Sequence, residues 1–137
     1  MSIRKIGIIG AGHVGSHGGY ALISQGLAEE IVYIDIDEKK AAAQALDLQD
    51  SSTYLGRAVH VKAGTYEDIK DAGILIVAAG PLPDMAAGQT DRQQTLGATV
   101  EILKDIVQKN QGKRLQWNHH KYFKPCRCCN PLFAGKT

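Results

Sequence analysis

The sequence predicts an α/β fold, a doubly wound parallel sheet of about four strands flanked by helices. Three observations carry that expectation. Short β-branched runs alternate with longer stretches whose apolar residues recur at helical spacing, the pattern of parallel βαβ units. The first such run ends in a glycine cluster, and the most apolar run, Gly73 to Ala79, is short and unbroken, as in a strand buried on both faces. At 137 residues, 44% hydrophobic and 22% charged, the chain has the size of one domain and enough apolar surface for a core.

Ile3 to Ile9 reads as the first strand, and His13 to Gly26, with Val14, Ala21 and Leu22 among small residues, as the first helix. Glu30 to Ile36 is the second strand. Asp37 to Leu55 carries an acidic first turn and places Ala41, Ala42, Ala45, Leu46 and Leu48 on one side of a helix. Ala58 to Lys62 is a third, short strand, followed by a helix or turn over Tyr66 to Asp71. Gly73 to Ala79 is the fourth strand, and Thr90 to Asn110 a helix with Leu96, Val100, Leu103 and Val107 at helical spacing. The core is expected to hold Ile6, Ile8, Ile9, Ile34, Ile74, Ile76 and Val77.

Charge divides the chain sharply. Residues 1–112 hold 10 Lys+Arg against 14 Asp+Glu, whereas residues 113–137 hold 6 Lys+Arg and no acid. All three cysteines, the only tryptophan and both phenylalanines lie in those last residues. We therefore take 1–112 as one domain and 113–137 as a separate basic tail. No run approaches the roughly 18 apolar residues of a membrane span. The opening segment, broken by Gly7, Gly10 and Gly12, reads as a strand rather than a signal peptide. A cytoplasmic protein is expected.

Gly10-Ala11-Gly12-His13-Val14-Gly15 is G-x-G-x-x-G, set between a strand and a helix. The first glycine permits a tight turn, the second lets backbone approach a pyrophosphate, and the third lets the helix pack closely on the strand. An acid, Asp35, ends the second strand 20 residues after the third glycine. There a carboxylate can accept hydrogen bonds from both ribose hydroxyls and would repel a 2′-phosphate, so NAD is favoured over NADP. A glycine turn and a solvated acid would explain each piece alone. Context and spacing together point to a Rossmann-type dinucleotide site.

The segments KIGIIGAGHVGS, IVYIDIDEKKAAAQALDLQDSS and TYEDIKDAGILIVAAGPLP resemble the lactate/malate dehydrogenase superfamily, in particular its L-lactate and L-2-hydroxyacid (hydroxyisocaproate-type) members. The resemblance runs from Arg4 to about Gln111. It implies an NAD-dependent oxidoreductase that interconverts an L-2-hydroxy acid and its 2-keto acid by hydride transfer, and a homo-oligomer when full-length. It makes Gly10, Gly12, Val14 and Gly15 the pyrophosphate turn and Asp35 the ribose acid. Lys40 and Tyr66 match positions flanking the adenosine, although Lys40 equally suits a solvated helix charge and Tyr66 an aromatic at the core edge. Gly80 and Pro81 match the point where the fourth strand opens under the cofactor. Arg92 matches the loop arginine that polarises the substrate carbonyl, a role that needs a planar, permanently charged donor; a solvated residue at a helix start is the bland alternative. The loop before it, Gly80 to Arg92, is longer than the short lactate form, which leaves the identity of the 2-keto acid open.

His13, His17 and His60 occupy no position the resemblance uses for catalysis and are expected to be structural or solvent-facing. In the tail, His119, His120, Cys126, Cys128 and Cys129 suggest a metal, but C-x-C-C is not a zinc knuckle and no second knuckle exists. Trp117, Tyr122 and Phe123 among lysines suggest a nucleic-acid patch. Neither metal nor nucleic acid is expected. A third explanation accounts for more. Read one nucleotide later, codons for His119 to Asn130 permit I-I-S-I-S-N-P-A-D-V-V-T, an apolar strand followed by a motif resembling the family's next element. The tail is then an out-of-frame translation entered near Gln111 to Lys113. The histidine, aspartate and arginine that the resemblance implies for catalysis would lie in a second half this chain does not contain, so the truncated chain is expected to be inactive alone. The alternative is a free-standing NAD-binding module with a basic interaction tail.

Overall fold

The computed structural model describes residues 4–81 and 96–110. The sheet is built from β1 (Lys5–Ile9), β2 (Glu30–Ile34), β3 (His60–Ala63) and β4 (Ile74–Val77). All neighbours are parallel and the order is β3-β2-β1-β4. Helices α1 (His13–Ser24), α2 (Glu38–Ser52) and α3 (Leu96–Asn110) complete the alternation. The expected Rossmann-type architecture is the one observed.

Pleating assigns each strand residue to one of two cores. Ile6, Ile8, Ile31 and Tyr33 face α1 and α2, where they meet Ile23, Ala41, Ala45 and Leu48. Ile9, Val32 and Ile34 face the opposite side and pack with Ile69 and Ile106. Helix α1 approaches the sheet through small residues, and its buried positions are Gly15, Gly19 and Ile23. A Cβ on Gly19 would land on the Tyr33 hydroxyl, so this missing side chain is what lets the tyrosine lie flat beneath the helix. Helix α2 buries Ala41, Ala45, Leu48 and Ser52, spaced by three and four residues. Asp37 caps it by accepting a hydrogen bond from the Lys40 N–H at 3.1 Å.

Several boundaries and burials differ from expectation. β2 ends at Ile34, two residues early; just beyond it the Asp35 carboxylate accepts the N–H groups of Ala11 and of Asp37. β3 begins at His60, where its amide first donates to Glu29. Ala42 and Leu46 are exposed, since only the narrower stripe through Ala41, Ala45 and Leu48 faces the sheet. Tyr66 to Asp71 forms successive turns, with the Asp68 N–H bonded to Thr65 and the Ala72 N–H to Ile69. Ile74 is not a core residue: it is 41% exposed, and Leu75 to Val77 are half-buried. The cause is position, because β4 is the last strand of the order among the described residues and is covered from one neighbour only.

Candidate functional site

The carboxyl ends of β1, β2 and β4 meet around the glycine turn. Gly10 leaves β1 with φ +101°, and a Cβ there would lie 2.7 Å from the Ala78 carbonyl carbon and the Ala79 nitrogen. Only glycine can make this turn so close to the backbone leaving β4. Its N–H donates to the Ile34 carbonyl at 2.7 Å, which ties the turn to β2. A Cβ on Gly15 would strike the Gly10 carbonyl oxygen. The third glycine is therefore needed for the first turn of α1 to fold back on the loop.

Asp35 is the hub. One carboxylate oxygen accepts the Ala11 N–H at 2.7 Å and the other the Asp37 N–H at 3.0 Å. One side chain thus fixes the middle of the glycine turn and the residue that caps α2. The cap in turn places Lys40, whose side chain is exposed and whose ammonium stands 3.9 Å from where a Gly12 Cβ would be. A cation and the amino end of α1 so share one small surface. Gly12 is the N-cap of α1; no side chain caps that end, and no acid stands in its first turn. Amino-terminal N–H groups without a side-chain acceptor, beside a lysine and lined by glycines, form a cradle for an anion. Val14, on the first turn of α1, is 68% exposed, and Ile36, next to Asp35, is fully exposed.

Beneath it, Tyr33 is wholly buried and its hydroxyl donates to the Gly15 carbonyl at 3.2 Å. Burial pushes its pKa up to about 12, so it remains a neutral donor at physiological pH. Tyr33, Asp37 and Ile36 were not among the sequence candidates. Asp37 could have been recognised as an N-cap, whereas nothing in the sequence marks Tyr33 as bound to the turn.

Of the residues the sequence proposes, Gly10, Gly12, Val14, Gly15, Asp35 and Lys40 are brought together. Gly80 follows the Ala78–Ala79 backbone that packs on Gly10, and Pro81 follows it. Tyr66 is half-buried against the core that contains Ile34, Ile69 and Ile106. Its ring lies 5.9 Å from the Lys109 ammonium, and burial pushes its pKa up. It sits at the edge of that core. Arg92, the loop from residue 82 to 95 and the tail lie outside the described residues.

The sequence pattern of the lactate/malate dehydrogenase NAD binding domain matches residues 4–120. The chain belongs to the lactate/malate dehydrogenase family. Residues 4–120 are the part that matches the family's NAD-binding domain, an assignment with which the cradle's geometry agrees. The L-lactate dehydrogenase 3 of Bacillus cereus is 41% identical over 104 residues, which is 76% of this chain and 32% of that protein. The minor L-lactate dehydrogenase of Enterococcus mundtii superposes with a TM-score of 0.74 at 35% identity, covering 82% of this chain and 35% of that one. A malate dehydrogenase from Archaeoglobus fulgidus, solved with NADH, gives a TM-score of 0.71 at 27% identity and covers 80% of this chain and 36% of that one. The chain thus spans about a third of the length of its relatives. Among the described residues no helix is long and apolar enough to cross a membrane, and no cluster of three or more His, Cys, Asp or Glu is assembled.

Proposed function

We propose that residues 1–112 are the cofactor half of an NAD-dependent L-2-hydroxyacid dehydrogenase of the lactate type, followed by an out-of-frame tail over residues 113–137. The observation that carries the cofactor reading is the Asp35 carboxylate, held 2.7 Å from the Ala11 N–H within the glycine turn. In this reading the N–H groups of the turn and the Lys40 ammonium receive the pyrophosphate. Asp35 accepts from the adenosine ribose, and the exposed Val14 and Ile36 offer apolar contact to the rest of the nucleotide. Bound NAD supplies the hydride acceptor. The protein supplies orientation and charge, with Arg92 as the loop cation that stabilises the oxygen of the 2-hydroxy or 2-keto acid. A proton donor beside that oxygen is also required, and the chain as it stands is expected to have no dehydrogenase activity.

The relatives support the lactate-type reading, and the chain spans about a third of their length. The family pattern matches residues 4–120, eight residues beyond Gly112. Sequencing the nucleotides from codon 108 through and beyond codon 137 tests the out-of-frame reading directly. An open frame one nucleotide away that encodes NPADVVT supports the proposal, and an intact frame with no such alternative favours a free-standing NAD-binding module with a basic tail. The frame-restored protein is expected to oxidise NADH with a 2-keto acid and to form a homo-oligomer by light scattering. No NADH oxidation with pyruvate or longer 2-keto acids would remove the assignment.

A further inference from the structure

His13 and His17 lie four residues apart on the first turns of α1, and both are exposed. Their rings stack with centroids 6.2 Å apart and planes inclined by 24°. The His17 Nδ1 lies 2.5 Å from the His13 carbonyl oxygen. An Nδ1–H donor makes that contact favourable, and the neutral tautomer that carries it leaves Nε2 unprotonated. A neutral imidazole with Nε2 free and Nδ1–H tied to a backbone carbonyl is the form in which histidine ligates metal ions, and the carbonyl is the usual outer partner that orients the ring. Positions i and i+4 of a helix share a face, so the second imidazole can reach the same ion.

We propose that His13 and His17 form a two-imidazole chelate for a borderline divalent transition-metal ion (Cu²⁺, Ni²⁺ or Zn²⁺) at the amino end of α1. Imidazole pairs select these ions over Mg²⁺ or Ca²⁺, which demand oxygen ligands. No group of three or more ligating side chains is assembled among the described residues, so the pair supplies two positions and the rest fall to water or to an anion.

The test uses the full chain with Cu²⁺ or Ni²⁺ alone, without cofactor, so its outcome is independent of the nucleotide reading. Calorimetric titration is expected to show an equivalent that vanishes in both His17→Gln and His13→Gln. Affinity at that site should fall at least by the roughly tenfold that disturbing even an outer partner costs. His60→Gln and a His119→Gln/His120→Gln double variant should keep it. If a variant fails to fold, the unmutated chain still decides: bound Cu²⁺ should protect His13 and His17 together from diethylpyrocarbonate, read by peptide mass spectrometry, while Mg²⁺ protects neither. Unchanged titrations in both single variants, or full modification of both histidines at saturating Cu²⁺, would overturn the proposal.

Discussion

Asp35 carries two duties, and separate substitutions can part them. It anchors Ala11 and Asp37 through backbone N–H bonds, and it is the proposed ribose acceptor. Asp35→Ala is expected to weaken NAD binding by about tenfold or more, since a hydrogen bond to a charged group contributes about 1.5–3 kcal/mol. It should also narrow the preference over NADP, because the charge that repels a 2′-phosphate is gone. Asp35→Asn keeps an acceptor without the charge, so it should lose discrimination while retaining more of the turn. Isothermal titration with both cofactors checks this, and equal affinities in the unmutated chain would count against the assignment. Tyr33→Phe removes the donor to Gly15 but keeps the ring, and should cost about 1 kcal/mol in urea denaturation. The glycines and Asp35 were legible from spacing because a single backbone requirement fixes each. Tyr33 was not, because in a buried strand its hydroxyl looks like any other aromatic until the helix above it is placed.

At the level of elements, the DLQD stretch gains a physical meaning. Gln49 donates from its amide nitrogen to the Val59 carbonyl and accepts the Val61 N–H, at 3.1 and 2.7 Å. Its side chain serves the outer edge of β3 as a neighbouring strand would, and shields that edge from other chains. Gln49→Leu would leave a half-buried donor and acceptor without partners and is expected to cost about 2 kcal/mol, read as a lower denaturation midpoint. A midpoint within error of the unmutated chain would show that water replaces the glutamine. Strand β4 has no comparable cover among the described residues, and the half-exposed Ile74 shows it. Periodicity located both strands, yet it did not distinguish the guarded edge from the open one. That difference depends on strand order and on a side chain ten residues away, neither of which is a local property. The same limit explains Leu46, whose spacing suits the helix face but whose angle around α2 points it outward.

For the molecule as a whole, charge stitches the sheet at the end remote from the glycine turn. Lys5 meets Asp71 at 2.7 Å and Glu30 at 3.5 Å, and Lys62 meets Glu30 at 3.6 Å and Asp68 at 3.3 Å. Burial opposes the charge on Lys5, but Asp71 and Glu30 outweigh it and hold its pKa above the usual value. The Thr65 N–H and hydroxyl, with Lys62, hold Asp68 below the ordinary 3.8, and Lys5 does the same for Asp71. Depressed carboxylates contribute stability that is present above 3.8 and lost as pH falls through their folded values, so thermal stability should drop on acidification below about pH 4. Asp71→Asn should flatten that acid limb, and an unchanged limb would assign it to other groups. The basic, acid-free tail, together with a β4 edge that has no neighbour among the described residues, predicts a chain that expresses poorly or aggregates; a soluble monomer by light scattering would contradict this, and restoring the frame should improve solubility. Strand order also bears on how the protein is made. β1 emerges first from the ribosome and can pair with β2 once residue 34 is out, but its other side waits for Ile74 to Val77, and the core beneath it for Ile106. A nascent chain must therefore keep the open edge of β1 from other partners until Ile74 to Val77 have emerged.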